Sequence, residues 1–388
     1  KCHALEKAQQ VLKQIPFRDV ITWSSLIAGC TQQGQCHEAL DYFEQMQSEG
    51  LSPDAITFTC ILKACSSIGA IERGKKFHEA IVTSGLLKKD IALGNALVDM
   101  YAKCGLLAKA RQLLEELPIR DVISWNALIA GCIQHKQHNE ALNCFQLMQS
   151  KGPSPDAVTF ICVLKACGSI GAVDIGKEIH NEILCKGFLH NDIALGTALV
   201  DMYAKCGDLS KAQEVHEALS VQNVVSWSAL IAGYAQHGQG HKALECFKQM
   251  QSKGHFPNEV TFICVLNACG HSGLLHEAQK FFGEIARKYG ISPNIEHHTC
   301  MVVILACAGH FDEAMLVIKM MASSNHSDVW LALLGACRKW ANVKLGISVF
   351  DQVIQIDTSS AAAYVLMANI FSDAGMQKDA EKVEAMQL

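Results

Sequence analysis

The stretch DVISWNALIAG, residues 121–131, decides the fold, because its tryptophan, Trp125, has counterparts 102 residues away on either side, Trp23 and Trp227. Pro53, Pro155 and Pro257 keep the same interval, and so do Cys60, Cys162 and Cys264. Self-similarity at a fixed period marks a repeat array. Each period subdivides unequally: residues 20–54 make a unit of 35, residues 55–90 one of 36, and residues 91–121 one of 31. Residues 122–223 repeat these three lengths, while the third period, 224–328, closes on a longer unit of 34 residues, 295–328.

Within the 35-residue units Ala39, Leu40, Phe43 and Met46 recur as Ala141, Leu142, Phe145 and Met148 and as Ala243, Leu244, Phe247 and Met250. That spacing is one face of a helix. An earlier helix is marked by Leu26 with Ile27, Leu128 with Ile129, and Leu230 with Ile231, and Gly34, Gly50, Gly152 and Gly254 punctuate turns or helix ends. Each unit therefore reads as helix, turn, helix. One hairpin leaves an apolar face bare, so successive hairpins must stack, and the expected fold is an all-α solenoid, a right-handed superhelix with a concave groove.

Composition agrees. Half of the 388 residues are hydrophobic and 18% are charged, enough apolar material for a continuous core. No apolar run approaches the roughly 18 residues of a membrane-spanning helix, so no membrane partner is expected. Thirty-three basic against 38 acidic residues leave a net charge of −5, which argues against binding duplex nucleic acid through phosphates and leaves room for a surface that reads splayed bases. Eighteen cysteines without a CxxC pair suit a reducing compartment. Residues 1–19 align with residues 103–121, so the chain is expected to open inside a 31-residue unit. Residues 329–360 and 361–388 read as two further, divergent hairpins.

The segments DVISWNALIAG, VDMYAKCG at 98–105 and TFICVLKAC at 159–167 resemble plant pentatricopeptide repeat proteins of the PLS subclass. On that resemblance residues 1–19 are a partial S repeat, 20–121 and 122–223 are P-L-S triplets, and 224–328 is a P-L2-S2 triplet. Residues 329–360 are then E1-like and 361–388 a truncated E2-like motif. Tetratricopeptide hairpins keep a fixed length, which the 35/36/31 cycle does not.

The resemblance implies a sequence-specific binder of single-stranded organellar RNA, the address-reading part of a C-to-U editing factor of the mitochondrion or chloroplast. Multiple organellar editing factor proteins, or a DYW-type deaminase acting in trans, are the implied protein partners, and a DYW domain can follow the E2 motif in the family. No cofactor is implied. A scaffold that binds protein within an organellar ribonucleoprotein complex is the alternative.

In the family the fifth and last residues of a unit face the groove and read a base edge, one base per unit. Here these are Ser24 with Asp54, Thr59 with Asp90, Asn95 with Asp121, Asn126 with Asp156, Thr197 with Asn223, Ser228 with Asn258, and Thr299 with Asp328. Helix capping is the competing role for the Asp residues. Ile161 and Ile263, fifth in their 36-residue units, cannot hydrogen-bond. Ile21, Ile123 and Val225 match the family's base-sandwiching position, which Ala92 and Ala194 fill in the 31-residue units. The family's code then gives G-n-U-U-n-A-A-n-G.

His180 and Glu182 have the HxE spacing of zinc deaminases, yet no PCxxC accompanies them, and the equivalents of His180 are His78 and Phe282. A core-lining role is expected, with no metal and no catalysis. Packing is also the expected role of Cys65, Cys167 and Cys269, of Cys2, Cys104 and Cys206, and of the three tryptophans.

Overall fold

The structure, a computed structural model, describes residue 7 and residues 18–88, 90–190, 192–321 and 326–387. The partial unit expected at 1–19, with Cys2, falls almost entirely outside the described residues. Among those described there is no strand, only α-helices and two short 3-10 turns.

The helices come in hairpins. In chain order they are α1 (Val20–Gln32) with α2 (Cys36–Ser48), α3 (Ala55–Ile68) with α4 (Ile71–Thr83), α5 (Ile91–Lys103) with α6 (Leu107–Glu116), α7 (Val122–Gln134) with α8 (His138–Lys151), and α9 (Ala157–Ile170) with α10 (Val173–Cys185). Next come α11 (Ile193–Lys205) with α12 (Leu209–Ala218), α13 (Val224–Gln236) with α14 (Gly240–Ser252), and α15 (Glu259–His271) with α16 (Leu275–Tyr289). The last are α17 (Ile295–Cys307) with α18 (Phe311–Met320), α19 (Ser327–Lys339) with α20 (Val343–Ile356), and α21 (Ala361–Asp373) with α22 (Gln377–Gln387).

Residues 1–198 and 199–388 form two compact units, the division falling inside α11. In the first, α1, α3, α5, α7 and α9 pack in succession, and each also packs on the second helix of its own hairpin. In the second unit α13, α15, α17, α19 and α21 do the same with α14, α16, α18, α20 and α22.

The two helices of a hairpin differ for a physical reason. Second helices have one apolar face: in α2, Cys36, Ala39, Leu40, Phe43 and Met46 are buried while Glu38, Asp41 and Glu44 face solvent. Burying each Leu, Phe or Met contributes about 1.5–3 kcal/mol. First helices are poor in charge because neighbours cover them on several sides, and α7, VISWNALIAGCIQ, carries no charged side chain at all. Trp23, Trp125 and Trp227 are buried there, as are Cys65, Cys167 and Cys269, so both packing expectations hold for these residues. Burial pushes the Cys65 and Cys269 thiols up to about 12, which keeps them protonated and inert. His180 is buried in α10, and its equivalent His78 is half-buried, 2.9 Å from the Tyr101 hydroxyl.

Near the C-terminal ends of some first helices a glycine admits the neighbouring first helix closely. A Cβ on Gly131 of α7 would stand 2.5 Å from that of Ala102 in α5, and Gly233 of α13 is as tight against Ala204. One turn on, the His135 ring reaches the Lys103 carbonyl at 2.9 Å and lies on Gly105, whose φ of +82° and missing side chain leave room for it. His237 repeats this on the Ala204 carbonyl over Gly207, and the Trp340 indole donates to the Cys307 carbonyl over Gly309. These bonds satisfy C-terminal carbonyls that a helix cannot pair internally, and they fix the register of the stack.

Candidate nucleic-acid interface

The opposite ends of the first helices hold the candidate residues. Asp19, Asp54, Asp90, Asp121, Asp156 and Asp192 each accept the backbone N–H three residues on, at 2.8–3.2 Å. Asn223, Asn258 and Asn294 cap α13, α15 and α17 in the same way. Capping of this kind is worth about 1 kcal/mol per helix. It occupies one oxygen of a carboxylate that can accept about four hydrogen bonds, so a cap keeps capacity for a second partner. Asp328 departs from the row: α19 begins at Ser327, with His326 at its cap position, so Asp328 lies exposed in the first turn.

In two junctions the second partner is the fifth residue of the cap's own unit. Asn126 donates its amide to Asp156 at 3.0 Å, and its own carbonyl accepts from the Thr159 hydroxyl at 2.7 Å. Asn95 donates to Asp121 at 3.0 Å, and its carbonyl oxygen is buried without a partner. A carboxylate only accepts, so it fixes the amide nitrogen toward itself and turns the carbonyl away. Burial would push the carboxyls of Asp121 and Asp156 up, but the Ser124 and Thr159 amides and the two Asn side chains hold them below the ordinary carboxylate value. Both are anions at neutral pH.

Serine is too short for that reach, and a threonine carries the link. Ser24 and Thr57 hydroxyls are 2.6 Å apart, and Thr57 donates to Asp54 at 2.6 Å. Ser228, Thr261 and Asn258 repeat the relay at 2.8 and 2.9 Å. Thr59 and Thr299 instead donate to the carbonyls of Ala55 and Ile295 on their own helices, and no hydrogen bond joins them to Asp90 or Asp328. Thr197 likewise donates to Ile193, within its own helix.

Thr57, Thr159 and Thr261 are hydrogen-bonded neighbours of the candidate residues that the sequence alone does not single out. Their signal was present in TFTC at 57–60, TFIC at 159–162 and TFIC at 261–264, a hydroxyl at the third place of every 36-residue unit.

Three residues before the fifth position of the 35- and 36-residue units, on the same helical face, stands an aliphatic side chain open to solvent, whereas before Thr299 the place belongs to Glu296. Ile21, Ile123 and Val225, expected there, are 72%, 64% and 60% exposed. The 36-residue units add Ile56, Val158 and Val260 at 64%, 54% and 56%, which sequence reasoning left out. Branched apolar side chains held in water, each two residues beyond a polar cap, form in either compact unit a surface that gains by covering. Ala92 and Ala194 hold the same place in the 31-residue units and are exposed but smaller.

Comparison with known proteins places this geometry. The PPR repeat family pattern matches residues 18–67, 120–169 and 222–271, and the related PPR repeat pattern matches 95–122, 197–223, 260–289 and 296–326. From Arabidopsis thaliana, the pentatricopeptide repeat-containing protein At2g22410, mitochondrial, is 35% identical over 99% of the chain and 61% of its own length. At4g38010 of the same organism is 38% identical over 96% of the chain and 66% of its own length. The chain thus spans less than two thirds of these relatives. Among solved structures, PPR10 in complex with an 18-nt psaJ RNA element superposes with a TM-score of 0.64 at 17% identity, over 99% of the chain and 62% of PPR10, a likeness of fold.

Proposed function

The chain belongs to the pentatricopeptide repeat family, and from that premise we propose that it binds single-stranded RNA in a sequence-specific manner. The observation that carries the reading is the alternation, along successive first helices, of an exposed aliphatic platform with a polar pair. Ile123 beside Asn126 and Asp156 is one instance. An unstacked base needs an apolar surface for its face and hydrogen-bonding groups for its edge, and base stacking contributes about 1–3 kcal/mol per base. Duplex RNA offers its bases neither way.

The finer assignment follows the PLS reading of the sequence. Residues 20–328 act as three triplets that read G-n-U-U-n-A-A-n-G, N-terminal units toward the RNA 5′ end, as the address of an organellar C-to-U editing factor. Catalysis then belongs to a DYW-type deaminase. Plant relatives with mitochondrial names support an organelle. A protein-contacting role for the last two hairpins is favoured by the exposed Trp340, Ile347 and Val365 on α19–α21 and their connections.

The test is binding of labelled G-n-U-U-n-A-A-n-G against a scrambled single strand and a duplex of the same length at physiological salt. The matched strand is expected to bind at least tenfold more tightly than either, since even two recognised bases are worth about 2–6 kcal/mol by the cost of a lost base-edge contact. Equal affinity for all three rejects the proposal.

A further inference from the structure

The exposed stripe of the first helices carries few charges. On α1 and α7 the positions beyond the platform residue are Ser25 and Ala28, and Ala127 and Ala130. On α5 it bears Asp99 and Lys103, which neutralise each other at 2.8 Å. The first helices of the 36-residue units differ. In α3 the stripe runs Ile56, Thr59, Cys60, Lys63, and in α9 Val158, Ile161, Cys162, Lys165, the i, i+3, i+4, i+7 ridge of a helix whose remaining faces are buried. Lys63 and Lys165 are exposed, and among the described residues no carboxylate pairs with either ammonium group. Their place in the third period is taken by Asn267.

Among the 36-residue units, those whose first helix lies between anionic caps, Asp54 with Asp90 and Asp156 with Asp192, carry a free lysine on the stripe, and the one between Asn258 and Asn294 carries none; α1 and α7, also between anionic caps, carry none. A row of carboxylates repels a phosphate chain, and Lys63 and Lys165 lie about 10 Å further along their helices than the platform residues, at 1.5 Å per residue. Ile161, fifth in the unit of Lys165, offers no hydrogen bond to a base.

We infer that Lys63 and Lys165 are phosphate contacts of the RNA-bound chain, one in each of the first two 102-residue periods, so that these two 36-residue units grip the backbone while their neighbours read bases. This rests on the RNA-binding reading above and adds to it a site for phosphodiester anions on the C-terminal halves of α3 and α9. Single-strand binding loses about 0.7 in the slope of log affinity against log salt for each phosphate contact removed.

The experiment titrates the 388-residue chain into labelled G-n-U-U-n-A-A-n-G between 0.05 and 0.3 M KCl, conditions set about the physiological range. It compares the parent with K63A/K165A, with N267K, and with K76A/K248A, which removes two exposed charges from second helices. Alanine suits an exposed helix position, and circular dichroism confirms that each variant folds. K63A/K165A is expected to flatten the slope by about 1.4 and to weaken binding about tenfold at 0.1 M salt, with base preference kept. N267K should steepen the slope by about 0.7, and K76A/K248A should leave it as in the parent. A parent that binds the matched strand, with K63A/K165A keeping its slope or K76A/K248A flattening it equally, overturns the inference and leaves the RNA reading standing. A parent that binds no RNA overturns both.

Discussion

The two ends of the first helices are joined to their neighbours by different chemistry. At the C-terminal ends one joint recurs once per period, where a 31- or 34-residue unit meets the next: a ring on a left-handed glycine, bonded to a carbonyl, as in His135 over Gly105, His237 over Gly207 and Trp340 over Gly309. At the N-terminal ends the joint changes from one unit to the next, Asn to Asp directly in two places and Ser to Asp or Asn through a threonine in two others. A backbone carbonyl is the same at every repeat, so a bond to it holds the stack without carrying information. Side-chain pairs that vary within a fixed frame hold less and can discriminate more.

The comparison breaks most visibly at the close contact of α5 and α7. Gly131→Leu forces a side chain into space 2.5 Å from the Ala102 Cβ and is expected to cost about 3 kcal/mol in urea unfolding. Base preference of the folded fraction should stay as in the parent; a changed preference would mean that the C-terminal joint also reads. Asp156→Ala removes a cap and the partner of Asn126, and should cost about 1–2 kcal/mol of stability. Unlike Gly131→Leu, it should also relax discrimination at the second U.

His135→Ala loses one hydrogen bond to a carbonyl and should cost about 1 kcal/mol, with RNA preference untouched. The smallest effect is electrostatic. The carboxyls of Asp121 and Asp156 are depressed on folding, so their contribution is fully present above the unfolded value near 3.9 and is lost as pH falls through the lower folded values. Acid unfolding of D121N/D156N should therefore show a shallower limb below about pH 4, while parent and variant run parallel from pH 5 to 8.

How much of this is legible in the sequence follows from distance along the chain. Helix faces such as Ala39, Leu40, Phe43 and Met46 are local, spaced by the helix itself, and their burial is as read. The rivalry between capping and reading at Asp54, Asp121 and Asp156 was legible as a choice; the structure shows that capping leaves the second bond to be made. The threonine relay was not legible, because Ser24 and Thr57 meet across 33 residues and Thr57 resembles any β-branched helix residue. The histidine joint was hidden for the same reason, since His135 and Lys103 are 32 residues apart. Asp328 shows where the frame fails: counting made it the end of its unit, and the helix starts one residue earlier.

The most direct test of the central claim is the base preference of Asn126→Thr. Threonine cannot present an amide to Asp156 and a carbonyl to a base, so the variant should lose about 1–3 kcal/mol on the RNA with U at the fourth position of G-n-U-U-n-A-A-n-G and prefer G there. The four RNAs that differ only at this base, measured side by side with parent and variant, give the answer. If both proteins rank the four bases alike, Asn126 only ties one helix to the next and the account of readout is wrong.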